Sequence, residues 1–354
     1  MFEFFEWWHF LALFGAGLLT GAISPVFGIG GGLLNVPILL IAFETLLVSK
    51  VGGQAAVLDN PNLLGNTASA TSLGVIVFTA LSGSISYIRE KRIDYQVALR
   101  FMVFAIPGAV SGGLFSKWLV TTTVRKDIFQ IIFGVTMIAI ALYKMFSIVL
   151  NWIKERSGKF NDDKDECLEE DCDEEQKIKE WWQKSVFYRE FTDKRGIKFK
   201  YKAKLFPGII IATVGGFIGA TLGLGGGVIY VPILTMAIGM PAPIAAATST
   251  FTILFATPFA VLIRSLDIFN SGSSLFYAVP SDLLSKSLGS LGVSCVSIQW
   301  DIVLLMAIGT VITANIIPRF LHKVKSEAIL IGFWSLATFA AVRVLLKALD
   351  IIDW

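Results

Sequence analysis

Two stretches of this chain set three consecutive glycines in apolar sequence, and their backbone amides are the first groups that could do chemistry. Gly28-Ile-Gly-Gly-Gly-Leu-Leu-Asn-Val-Pro-Ile-Leu39 returns 195 positions later as Gly223-Leu-Gly-Gly-Gly-Val-Ile-Tyr-Val-Pro-Ile-Leu234. Consecutive glycines lower helix propensity at each position and break a helix. Backbone amides freed within a membrane must be satisfied by protein or by a water-filled cavity. At the start of the helix that follows, those N–H groups lie at the positive end of its dipole, which suits an anion without any lysine. Neither copy is followed by Gly-Lys-Ser/Thr or completes GxGxxG, so a nucleotide loop is not indicated. The competing explanation is close helix packing through small residues, which is common in membranes.

A second pair of motifs carries hydroxyls. Ala70-Thr71-Ser72 matches Ala247-Thr248-Ser249 with a shift of 177, and Thr67, Ser69, Thr250 and Thr252 lie nearby. Hydroxyls can donate to an oxyanion and release it easily, as transport requires. The alternative is that each hydroxyl bonds back to a carbonyl one turn earlier in its own helix. Other chemistry is sparse. Arg100 and Arg343 are expected near helix ends, where long side chains snorkel. Asp59, Asp267, Asp282 and Asp301 are expected in loops or at helix edges, and no carboxylate pair faces a shared core. His9 and His322 are the only histidines, and Cys167 and Cys172 lack neighbours to complete a metal site. No catalytic set, metal site, cofactor or nucleic-acid partner is expected.

The elements that position these motifs follow from bulk chemistry. The 354 residues are 55% hydrophobic and 16% charged, with a mean hydropathy of +0.70. That is too apolar for a soluble globule of this size. Phe10–Phe27, Thr71–Ile88, Ile128–Ile153 and Leu330–Leu346 are long enough, or nearly so, to cross roughly 30 Å of hydrocarbon as helices. The alternating strands of a β-barrel are absent from the pattern. The aromatic, acidic start (Glu3, Glu6, Trp7, Trp8) reads as an interfacial belt and not as a cleavable signal. The expected fold is therefore all-α: a polytopic transmembrane helical bundle.

Two motifs recurring in the same order indicate a tandem duplication. Residues 1–150 form the first repeat and 205–354 the second. The first holds 18 extra residues (195 − 177) around Glu44–Asn66. Placing Arg89/Lys91/Arg92, Lys194–Lys204 and Arg319/Lys323/Lys325 in the cytoplasm puts both termini outside and gives the repeats inverted topology. Lys117, Arg125, Lys126 and Arg264 then count against the rule as outer charges. Each repeat reads as a helix ending at a glycine break, a short second helix that crosses or re-enters, and three longer helices; in the first repeat the break follows Phe27 and the short helix starts near Leu33 and runs about ten residues.

Residues 151–204 read as a charged cytoplasmic linker. Asp162–Glu175 carries ten carboxylates and one lysine, a composition that stays solvated. Beyond it, Val186–Thr192 and Ile197–Tyr201 suit a β-hairpin, or an amphipathic helix runs through Ile178, Trp181, Trp182 and Ser185. Ser265–Ser297 is a Ser- and Gly-rich outward segment with an apolar middle.

At these residues the chain resembles the sulfite exporter TauE/SafE-like permeases. The likeness rests on both GxGGGxxxVPxL motifs, both Ala-Thr-Ser motifs and the basic turn Arg89-Glu-Lys-Arg-Ile93, across most of both repeats. It implies a permease that moves sulfite or a related small oxyanion outward by alternating access. By the same resemblance Gly30, Gly31, Gly32, Thr71 and Ser72 would line the central site with Gly225, Gly226, Gly227, Thr248 and Ser249. Asn35 and Tyr230 are equivalent by the repeat and differ in chemistry, so the site need not be symmetric. The sequence leaves the coupling ion, proton or sodium, unread; the lipid bilayer is the surroundings, and a monomer suffices without excluding a dimer. The alternatives are a permease for another organic anion, such as a sulfonate or carboxylate, and a membrane interaction protein acting through its linker.

Overall fold

A computed structural model of the chain describes residues 7–28, 30–51, 61–121, 186–192, 194, 198–236, 238–265 and 298–320, with scattered helical residues at 131–139 and 338–346. The helices are α1 (Trp7–Phe27), α2 (Gly32–Val51), α3 (Pro61–Glu90), α4 (Tyr95–Thr121), α5 (Leu205–Leu222), α6 (Gly227–Met236), α7 (Ala242–Ser265) and α8 (Trp300–Phe320). Strands β1 (Val186–Thr192) and β2 (Lys198–Lys204) precede α5. Among the described residues three segments are long and apolar enough to cross a membrane: Gly65–Glu90, Tyr95–Leu119 and Pro243–Ser265. Helices are the expected form, because in lipid a helix satisfies its own backbone hydrogen bonds. Leu99, Val103, Leu262, Leu304 and Ile308 remain exposed, as lipid-facing side chains would be.

α1 ends at Phe27 and α6 is short, at ten residues, both as expected. α2, expected to be equally short, is 20 residues long. No glycine or proline stands between Ile38 and Val51, so nothing stops that helix. α6 meets Gly239, at φ +83°, and Pro241, and stops.

α4 packs along α5, and α1 along α8. Between these pairs α3 and α7 pack on one another, with α7 also against α4, α3 against α8, α2 against α3 and α6 against α7. Small residues permit the close approaches: a Cβ on Gly112 would collide with the Phe217 carbonyl, and one on Gly21 with the Thr310 backbone.

The bundle is helical as expected, and of the two alternatives for the segment before α5 the antiparallel hairpin is present, pairing Val186 with Lys204 through Thr192 with Lys198. The segment through Ile178, Trp181, Trp182 and Ser185 lies outside the described residues, as do Asp162–Glu175, Cys167, Cys172 and positions 266–297. The hairpin docks on the α3–α4 turn. The Lys194 amide donates to the Glu90 carbonyl at 3.2 Å, and the Tyr201 hydroxyl donates to Asp94 Oδ2 at 2.6 Å. Asp94 also caps α4, its Oδ1 accepting from the amides of Gln96 and Val97. A hydrogen bond to a charged group contributes about 1.5–3 kcal/mol. Tyr201→Phe is therefore expected to speed amide exchange across β1 and β2 while leaving the helices unchanged. Equal exchange in both proteins would show that this bond does not hold the hairpin.

Candidate functional site

The site is built by two glycine breaks. Gly28, Gly30 and Gly31 have φ of +65°, +70° and +80°, and Gly223, Gly225 and Gly226 have +78°, +69° and +79°. Each break thus runs through the left-handed region, which side chains with a Cβ disfavour. α2 begins at Gly32, with the amides of Leu34 and Asn35 donating to the Gly31 carbonyl at 3.1 Å. α6 begins at Gly227, with the amides of Ile229 and Tyr230 donating to the Gly226 carbonyl at 3.0 and 2.8 Å. The first-turn amides ahead of these have no acceptor within their own helix.

The breaks touch. A Cβ on Gly32 would lie 2.7 Å from Leu224 Cα and 2.8 Å from the Gly223 carbonyl oxygen. Ile76 and Ile253, equivalent residues of α3 and α7, pack against both Gly30 and Gly225.

The paired hydroxyls hold this arrangement reciprocally. Ser72 Oγ donates to the Gly223 carbonyl at 2.7 Å, and Ser249 Oγ donates to the Gly28 carbonyl at 2.9 Å. Thr71 Oγ1 accepts from the Gln299 amide at 3.2 Å, and Thr248 Oγ1 accepts from the Asp94 amide at 3.4 Å. All four side chains are buried. Their neighbours behave as ordinary helical hydroxyls: Ser69, Thr250 and Thr252 donate to the carbonyls of Asn66, Ala246 and Thr248 in their own helices. The Ala-Thr-Ser hydroxyls bond to the opposite half in place of a carbonyl one turn back, whereas Ser69 bonds back within α3 and also accepts from Arg264.

Asn35 and Tyr230 are equivalent in the repeat and unlike in surroundings. Asn35 is fully enclosed, with neither amide atom hydrogen-bonded. The ring of Tyr230 lies edge-on to Phe101, centroids 5.0 Å apart, against Gly215, Gly216 and Gly226. Gly31 and Gly226 thus face these two side chains, whereas Gly30, Gly32 and Gly225 lie where the breaks meet.

Reading by motif missed Arg264. Expected as an outward charge, it is instead 1% exposed, with its guanidinium donating to the Ala220 and Thr221 carbonyls at 2.7 Å each. It also donates to the Asn66 carbonyl and to Ser69 Oγ. Lys117, also expected outside, is buried too. Neither charge therefore weighs against the cytoplasmic placement of the basic clusters as an exposed outer residue would. A lone arginine in the apolar run Ala242–Ser265 was the available signal. For Asp94 it was the Asp–Tyr step before an apolar helix. Arg100 is exposed, as a snorkelling residue would be. Among the described residues no group of three or more His, Cys, Asp or Glu side chains comes together to hold a metal.

Apolar helices around two interlocked glycine breaks define a helical membrane protein whose polar interior belongs to its backbone and hydroxyls. The chain belongs to the family described as Sulfite exporter TauE/SafE, whose sequence profile matches residues 13–344. It is 30% identical over 249 residues to the probable membrane transporter protein YunE of Bacillus subtilis (strain 168), covering 70% of this chain and 75% of that protein. It is 24% identical over 221 residues to the probable membrane transporter protein MJ0441 of Methanocaldococcus jannaschii, covering 62% of this chain and 60% of that one. A probable membrane transporter protein of Xylella fastidiosa (strain 9a5c) matches 126 residues at 30% identity, 36% of this chain and 40% of that protein. No solved structure matches the chain.

Proposed function

We propose that the protein is a secondary transporter that exports sulfite or a related small oxyanion by alternating access of two inverted repeats. Residues 1–150 and 205–354 are the repeats, 151–204 is a cytoplasmic linker, and both termini lie outside the cell membrane. One observation carries this reading: each glycine break is seated by a serine from the opposite half. A shift of either half would then change both breaks together. The anion sits at the starts of α2 and α6, against the amides beside Gly30, Gly31 and Gly32 and those of Gly226 and Gly227; the Leu224 and Gly225 amides already donate to the Gly219 carbonyl, so Gly225 shapes the break and does not offer its own N–H. Thr71 and Thr248 line the approach, while Ser72 and Ser249 hold the breaks in place. The family membership and the names of the relatives support transport as the activity.

The test is flux of radiolabelled sulfite into proteoliposomes, with sulfate, taurine and acetate as competitors and empty liposomes as control. Saturable flux blocked by cold sulfite and not by sulfate is expected. Selective block by taurine or acetate would reassign the substrate to a sulfonate or carboxylate. In the same assay Thr248→Ala/Ser249→Ala should lower flux about tenfold, because the Gly28 carbonyl loses its buried donor at a cost of about 1–3 kcal/mol. Wild-type flux from that variant would rule out this site.

A further inference from the structure

Asn35 is fully buried in α2, and neither its Oδ1 nor its Nδ2 has a hydrogen-bond partner. Leaving a buried polar group unpaired is costly, and such a group in a native fold usually marks a bound ion, ligand or water. Two further polar side chains converge on the same point. A Cβ added to Gly31 would lie 3.6 Å from Asn35 Nδ2, 3.6 Å from Ser24 Cβ and 3.7 Å from Thr20 Cβ. Thr20 and Ser24 stand one turn apart in the last turns of α1, and both are buried. Thr20 Oγ1 gives its proton to the Gly17 carbonyl at 3.2 Å, so lone pairs are what it has left to offer.

The second half shows what happens where no such pocket is needed. By the shift of 195, Thr20, Ser24 and Asn35 correspond to Gly215, Gly219 and Tyr230. There the tyrosine ring fills the space, with Cε1 3.0 Å from a Cβ placed on Gly215 and Cζ 2.7 Å from one placed on Gly226. The carbonyl end of α5, at Ala220 and Thr221, receives the guanidinium of Arg264. The position that corresponds to Arg264 by the shift of 177 is Tyr87. The repeat therefore supplies a protein cation at the end of α5, and at the end of α1 a set of neutral oxygens. A helix C-terminus favours positive charge. Neutral oxygen donors without thiolate, imidazole or carboxylate suit a hard cation of low charge.

We propose that Asn35, its side-chain amide turned over so that Oδ1 takes the place of Nδ2 beside Gly31, binds one sodium ion together with Thr20 Oγ1 and Ser24 Oγ in the first half, and that Tyr230 closes the equivalent position in the second. As a binding site this stands on the pocket alone. As the coupling ion it rests on the transport reading above.

The test uses the full chain purified in detergent, with thermal unfolding followed in NaCl, KCl and choline chloride at equal ionic strength. Sodium is expected to raise the Tm saturably, by about 2 °C or more, over choline and potassium. Thr20→Val and Ser24→Ala should lose that rise, and Thr20→Ser, which keeps the oxygen, should restore it. Asn35→Leu should raise the Tm in choline, because it removes two unpaired polar atoms, and should abolish the sodium response. Its higher baseline separates loss of binding from loss of folding. Equal Tm values in the three salts, or a Tm that responds to sulfite and not to sodium, would overturn the proposal and leave water or the substrate in the pocket. Sulfite flux that persists without sodium, together with a flat sodium response of the Tm, overturns the site and spares the transport reading. A sodium response of the Tm with no anion flux supports the site and overturns the transport reading.

Discussion

Gly223→Ala and Gly28→Ala should each leave little folded protein, whereas Gly15→Ala should express as well as wild type. A Cβ at Gly223 would stand 2.5 Å from Ser69 Cα and 2.6 Å from the Ser69 carbonyl oxygen; one at Gly28 would stand 2.5 Å from Ala246 Cα. Both contacts are to backbone, so no side-chain rotation relieves them, and α3 or α7 must move. Both residues also have positive φ, which costs a non-glycine residue roughly 1–2 kcal/mol. The displacement would pull the Gly223 carbonyl from Ser72 and the Gly28 carbonyl from Ser249. Together these terms reach several kcal/mol, a large part of the stability of a typical domain. Gly15 has nothing within 4 Å of its added Cβ, and alanine in mid-helix gains about 0.5–1 kcal/mol. The check is the yield of monodisperse protein after detergent extraction, with the Tm of whatever survives. Wild-type yield from Gly223→Ala would mean that the breaks are not locked against α3.

Arg264→Met should lower the Tm by about 5 °C, corresponding to roughly 1–3 kcal/mol for buried acceptors left without their donor. The guanidinium joins α7 to two other segments: the Ala220 and Thr221 carbonyls at the end of α5, and Asn66 and Ser69 in α3. Methionine fills similar volume and leaves those carbonyls without a donor. Arg264→Lys should recover part of the loss, since an ammonium carries the charge but lacks the planar fork that reaches several acceptors at once. Thermal unfolding of the three proteins in one detergent decides the matter. Equal Tm values for Arg264→Met and wild type would show that Arg264 does not hold the end of α5 in place.

Much of this architecture is written in local chemistry. A helix in lipid is forced by its own backbone, so the apolar runs through α1, α3 and α7 announce themselves by composition. Consecutive glycines announce a break, and both breaks stand where the repeats of Gly28–Leu39 and Gly223–Leu234 put them. The strands β1 and β2 follow from alternating residues on either side of the polar sequence Asp193-Lys-Arg-Gly196. The length of α2 departs from expectation because no glycine or proline follows Ile38 before Val51, and a helix ends only where its backbone is stopped.

The sequence by itself determined the class of protein, the duplication, the glycine breaks and the residues most unlike their surroundings. Which groups meet was decided by the tertiary structure. Ser72 and Gly223 are 151 positions apart, Ser249 and Gly28 are 221 apart, and no local pattern encodes those bonds. The same holds for the burial of Arg264 and for the meeting of Thr20, Ser24 and Asn35 around Gly31. Helix identity depends on residues within a turn of one another. A polar site depends on which helix faces are pressed together, and that is settled only when both halves have packed.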